Sequence, residues 1–167
     1  MEVILGIDPG SRITGWAAVG RDGRRLSRVA SGAINLPARA DLAVRLARLQ
    51  IEIEAVIGRV EPGAVAVEDI FTHRNARSAL ALGQARGVVL AAAARRELAV
   101  FAYPPATVKR AVCGHGRAEK PQVQRMVQVL LALPQISPED ESDAMAIAIC
   151  HALRQRPGPP PRREARS

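Results

Sequence analysis

The sequence predicts an α/β protein: a five-stranded mixed sheet flanked by helices. Three observations point there. The N-terminal third carries three β-like runs at hairpin spacing. Two later runs, Ala64–Glu68 and Ala99–Tyr103, are short, apolar and separated by helical patterns, as buried parallel strands are. The length of 167 residues, 48% of them apolar, suits one domain with a sizeable core. Only 2% are aromatic, so that core is built of Ala, Val, Leu and Ile.

In chain order, Glu2–Ile7, Gly15–Val19 and Leu26–Ile34 read as an antiparallel meander, with Arg21-Asp22-Gly23 turning between the second and third strands and Leu36-Pro37 ending it. Asp41 opens a helix as N-cap or first-turn residue. Leu42, Leu46, Leu49, Ile53, Val56 and Val60 mark its apolar face, and Pro62-Gly63 stops it. Ala64–Glu68 is the fourth strand. A long helix rich in small residues starts at Asn75 or Ser78 and runs to about Glu97; Gly83 and Gly87, one turn apart, imply close backbone packing in the core or at a dimer seam. Ala99–Tyr103 is the fifth strand, stopped by Pro104-Pro105. Thr107–Cys113 is a short helix, Gly114–Arg117 a basic loop, and Ala118 or Glu119 opens the next helix. In Ser137-Pro138-Glu139-Asp140, Ser137 reads as N-cap and Pro138 as first helical residue of a last helix running through Ala144–Ile149. Residues 1–156 are expected to form the domain and 157–167 a disordered Pro/Arg-rich tail.

The net charge of +8 points to a polyanionic partner. Arg154, Arg156, Arg162, Arg163 and Arg166 against Glu164 contribute +4 of it, so the body is basic too. Cys113 and Cys150 lack zinc-ligand spacing and are expected as reduced thiols of a cytoplasmic protein. The N-terminal run reads as a strand rather than a signal peptide, and no apolar run is long enough to span a bilayer, so no membrane role is expected. Of the 24 basic residues only Lys109 and Lys120 are lysines. In so arginine-biased a chain these are either chance surface residues or places where a compact ammonium is wanted.

Acids recur where core-facing elements meet loops. Asp8 ends the first strand before Pro9-Gly10, and reads equally as a turn-initiating Asp or as a ligand. Glu68 ends the fourth strand, and parallel pairing of the two strands would set both carboxylates at one sheet edge. Asp140 and Asp143 are three apart on one face of the last helix. Asp140 has a second reading as a helix-dipole acid, as Glu139 and Glu141 do. Clustered carboxylates need cations, and oxygen-only donors suit Mg²⁺ or Mn²⁺, two of which can drive phosphodiester cleavage.

The motifs GIDPGSRITGW, AVEDIF, NARSALALGQARG, VKRAV, AEKPQVQRMV and SDAMAIAI, in this order, resemble the RuvC family of Holliday junction resolvases from about Glu2 to about Ala152. The resemblance implies a ribonuclease H-like fold and a homodimer that nicks four-way junction DNA symmetrically, working with a branch-migration motor. It implies Asp8, Glu68, Asp140 and Asp143 as the carboxylates that bind divalent metal, Mg²⁺ with Mn²⁺ as alternative and two ions per site. Lys109 and Lys120 then match lysines near the scissile phosphate, and Phe71 an aromatic that stacks on junction bases. Arg12, Arg74, Arg77, Arg86 and Arg117 are candidate phosphate contacts, each with a second reading as a solvated arginine. Asp69 stands where an uncharged polar residue such as Gln is expected, either crowding the site or facing solvent. His73 and His115 read as loop histidines near the DNA face.

Three rivals remain. An ATP-binding phosphotransferase of the actin/sugar-kinase type also begins with a Gly-Ile-Asp-x-Gly hairpin, but the chain is short for two such lobes and lacks a second Gly-rich phosphate loop. A non-catalytic junction binder gains nothing from four repelling carboxylates. Another ribonuclease H-like nuclease, acting on RNA–DNA hybrids or flaps, is the nearest rival.

Overall fold

The computed structural model describes residues 1–69 and 76–155. Five strands, β1 (Glu2–Asp8), β2 (Ile13–Asp22), β3 (Arg25–Asn35), β4 (Ala64–Glu68) and β5 (Ala99–Tyr103), form one mixed sheet in the order β3-β2-β1-β4-β5. The first three pair antiparallel, while β1–β4 and β4–β5 pair parallel. The expected fold class is therefore observed. β2 and β3 are longer than the sequence reading made them, because their ladder continues to a two-residue turn at Gly23-Arg24. Gly23 takes φ +59°, at the position where a type II′ hairpin places glycine.

Helices α1 (Leu42–Val60) and α2 (Ala76–Ala94) cover one face; α3 (Pro105–Cys113), α4 (Lys120–Leu130) and α5 (Glu139–Arg154) cover the other. Leu49, Ile53, Val56 and Ile57 of α1 and Ala85, Val89, Ala92 and Ala93 of α2 pack on Leu5, Ile7, Val65 and Val67. On the opposite face α5 is buried without a break from Ala144 to Ala152, since it lies between the sheet and the α3/α4 layer. Among the described residues no helix is long and apolar enough to cross a membrane.

Two boundaries differ from expectation, and the two openings offered for α4 resolve to Glu119. Pro138, not Ser137, is the N-cap of α5, and Ser137 instead offers its carbonyl to the Ser142 hydroxyl (3.2 Å). Pro105 begins α3 rather than only ending β5, since proline suits the first helical position. Glu119 caps α4 in a reciprocal capping box with Gln122, which makes Lys120 the first helical residue.

The glycines of the N-terminal motif serve packing. A Cβ on Gly6 would lie 2.1 Å from the Ala144 carbonyl oxygen, and one on Gly15 would lie 2.0 Å from that of Asp140. Both are backbone atoms of α5, so these positions let the helix approach β1 and β2 closely. Gly83 and Gly87 are the reverse case. Both are exposed, and a Cβ on either would meet nothing within 4 Å, so the expected close packing in the core is absent.

Candidate active site

Strand parity aims two acids at the α5 face. Ile4 and Ala66 face the α5 layer, while Leu5, Ile7, Val65 and Val67 face α1 and α2. Asp8 and Glu68 continue the even series. Ile7 pairs with Val67, which sets Asp8 and Glu68 side by side at the C-terminal ends of adjacent parallel strands. The α5 helix brings Asp143 to the same place, α3 brings Lys109 and α4 brings Lys120. These five residues, with Pro105, Val108, Val123, Ala146 and Ile147, line a cleft of about 310 Å³.

The electrostatics show how close the acids are. Burial, then the charges of Glu68, Asp143 and Asp140, push Asp8 up to about 7, against an opposing pull from Lys120. Glu68 is raised by burial and then by Asp143, with both lysines opposing. Asp143 is raised by burial first; Lys120 opposes, and Glu139 and Asp140 add to the rise. A cation would relieve all three, and the donors are all oxygens, so the set fits a hard divalent ion. Among the described residues no three of these groups are drawn into a ready coordination cluster.

Asp140 stands at the margin. Its backbone carbonyl lies against Gly15 and its charge acts on Asp8, but it does not line the cleft. Lys120 donates to Glu139 and stands 3.6 Å from Asp143. Arg12 is exposed in the turn after β1, where its carbonyl accepts from the Leu36 amide (2.8 Å). Arg77 is exposed at the start of α2, and Arg117 is exposed in the turn between α3 and α4. Arg86 faces inward to Asp69 at 3.5 Å, which gives Asp69 a partner on α2 and turns it from the acid cleft. Phe71, His73 and Arg74 lie outside the described residues.

Some contacts left no signal in the sequence. Glu141 accepts from the Ser31 hydroxyl on β3, tying the first turn of α5 to the sheet. His151 is 1% exposed, with Nδ1 2.8 Å from the Tyr103 hydroxyl and its ring 4.4 Å from that of Phe101. A larger cleft of about 420 Å³ lies elsewhere, between β3 and α1 around Trp16. Its acid, Glu52, is paired with Arg48 at 2.6 Å, so the convergence of three acids rather than size marks the candidate site.

Comparison with known proteins bears on this cleft. The family described as crossover junction endodeoxyribonuclease RuvC matches residues 4–151. A crossover junction endodeoxyribonuclease RuvC from Heliobacterium modesticaldum is 53% identical over 151 residues, covering 90% of this chain and 93% of that protein. Among solved structures, the Thermus thermophilus RuvC structure is similar with TM-score 0.82 and 35% identity, covering 90% of this chain and 93% of that one. T. thermophilus RuvC in complex with Holliday junction substrate gives TM-score 0.87 and 34% identity, covering 92% and 94%.

Proposed function

The chain belongs to the RuvC family of crossover junction endodeoxyribonucleases, and from that premise we propose that it resolves four-way DNA junctions by metal-dependent phosphodiester hydrolysis, with the Asp8 cleft as its active site. The observation that carries this reading is the convergence of Asp8, Glu68 and Asp143 with Lys109 and Lys120 in one cleft. The T. thermophilus relative, solved with a Holliday junction, supports the substrate.

Asp8, Glu68 and Asp143, with Asp140 beside them, would hold the metal. Two Mg²⁺ ions, or Mn²⁺ in their place, would activate a water and stabilise the leaving oxygen. The chain's own groups do the rest. Asp8 and Glu68 are fixed by adjacent strands, so they keep their spacing while DNA binds. Lys109 and Lys120 supply ammonium charge at the cleft, where it can neutralise charge growing on the phosphate in the transition state. The apolar wall of Val108, Val123, Ala146 and Ile147 strengthens those interactions by excluding water. Phe71 stacks on a junction base, and Arg12, Arg74, Arg77 and Arg117 contact phosphates.

We read the protein as a homodimer, which suits paired nicks in strands of like polarity. The outward face of α2 supports this reading: Leu80 is 64% exposed, and Gly83 and Gly87 leave space for a second helix. Residues 1–156 would form the nuclease unit, 157–167 an accessory tail, a branch-migration motor the partner on the junction, and the cytoplasm the working compartment.

The test offers a synthetic four-way junction, a flap, an RNA–DNA hybrid and plain duplex, each with Mg²⁺, Mn²⁺ or EDTA. Paired nicks confined to the junction and lost in EDTA are expected; equal cleavage of duplex would refute structure selectivity. Phe71→Ala is expected to slow nicking more than it weakens junction binding, and unchanged turnover would remove its stacking role.

A further inference from the structure

Glu139 opens α5, where an acid ordinarily serves the helix dipole. Here it has a partner from another element. Lys120, at the start of α4, donates to Glu139, and its ammonium stands 3.6 Å from Asp143, beyond hydrogen-bonding distance. Lys120 is 61% exposed and Glu139 57%, while Asp143 is 28% exposed within the cleft. The ammonium therefore sits at the rim, between an exposed acid that it hydrogen-bonds and a more buried acid with which it makes only a longer ion pair at 3.6 Å.

A strongly hydrated ammonium loses water by entering a cleft, so an exposed acid at the rim is the less costly partner. Without that partner, Asp143 is the nearest anion. Full pairing with Lys120 would neutralise the carboxylate and fill the space beside it. We infer that Glu139 is a positioning residue: it tethers Lys120 at the rim, so that the ammonium stays near the phosphate path and leaves Asp143 open to a divalent cation. This inference rests on the proposed metal-dependent reading of the cleft.

The two lysines of the chain make the test direct. Magnesium chloride is titrated by calorimetry into the full chain without DNA. Lysine side-chain nitrogen signals, two in all, are followed by NMR in the same titration. In Glu139→Gln the Mg²⁺ dissociation constant is expected to rise about three-fold, the scale of a partly exposed ion pair. The Lys120 signal should move on Mg²⁺ addition in the variant, as the ion displaces the ammonium from Asp143, and stay nearly still in the parent. In a Lys120→Met background Glu139→Gln should leave Mg²⁺ affinity unchanged, since the effect acts through the lysine. An unchanged dissociation constant in the single variant, or equal weakening in both backgrounds, would overturn the tether. A parent chain that neither binds Mg²⁺ nor nicks junctions would overturn the metal-dependent reading, and the tether with it. A parent that does both, beside an indistinguishable Glu139→Gln, sinks the tether alone.

Discussion

The two faces of the sheet are packed by different rules. On the α5 face backbone meets backbone: Gly6 and Gly15 have no Cβ, and α5 comes down onto β1 and β2 until the carbonyls of Ala144 and Asp140 fill the missing volume. On the other face ordinary side chains of α1 and α2 interlock with Leu5, Ile7, Val65 and Val67, and the far side of α2 is left with glycines beside open space. The face that carries repelling charges is the one where the backbone leaves least room to move. The face without them keeps a surface that another body can meet.

The comparison can be broken most sharply at Asp8. Asp8→Asn is expected to lower junction nicking by more than about 100-fold, beyond the cost of altering a residue that only supports a metal ligand. The metal-free protein should melt no lower than the parent in EDTA, because the variant removes a buried, repelled charge. A large fall in melting temperature would mean that the carboxylate holds the fold together instead. Gly6→Ala comes next, at a cost of about 3 kcal/mol in urea unfolding, since the new methyl would press on a backbone oxygen that cannot rotate away. A loss under about 1 kcal/mol would show that α5 slides easily, and the close-packed description would fail.

His151 sharpens the same contrast through pH. Burial holds its pKa below the ordinary 6.5, so the folded state keeps it neutral while the unfolded state takes a proton. Its contribution is full above about 6.5 and is lost as pH falls from there through the lower folded value. Asp8 works in the opposite sense: its folded value is raised to about 7, so metal-free stability falls as pH rises from the ordinary carboxylate range through 7. His151→Gln should therefore lose less stability than the parent between pH 7.5 and 5.5, read from urea midpoints. Parallel curves would assign the acid response to other groups. The smallest effect belongs to the far face: Gly83→Ala should stabilise the isolated chain by up to about 1 kcal/mol, from helix propensity with no clash. Destabilisation of a dilute, monomeric sample would mean that the space beside α2 is not open.

Much of this was legible in the sequence where the cause is local. β4 follows from a short valine-rich run set off by Pro62-Gly63, and the end of β5 follows from Pro104-Pro105 beyond it. The nearness of Asp8 and Glu68 followed from two strands that end in acids, once they were taken as parallel. What the sequence hid depends on partners far along the chain. Gly6 looks like one more residue of the first strand until Ala144, 138 residues later, is seen against it. Ser31 and Glu141 are unremarkable until the fold brings them together. Asp69 read as either crowding the site or facing solvent, because nothing in its neighbourhood announces Arg86 on the next helix. The small-residue pattern of α2 was read correctly as unusual, but the glycines face outward rather than into the core.

Adjacent strands in a sheet lie about 4.8 Å apart, a spacing set by backbone hydrogen bonds and indifferent to side chains. Asp8 and Glu68, ending neighbouring strands, are thus the fixed jaw of a caliper whose graduation is the peptide bond itself. Asp143 is the other jaw, carried on α5, and its setting is the depth to which that helix is seated. The hydrogen atom in place of a methyl group at Gly6 is the zero mark. A carbon added there would not touch a single charged atom, yet it would open the gauge.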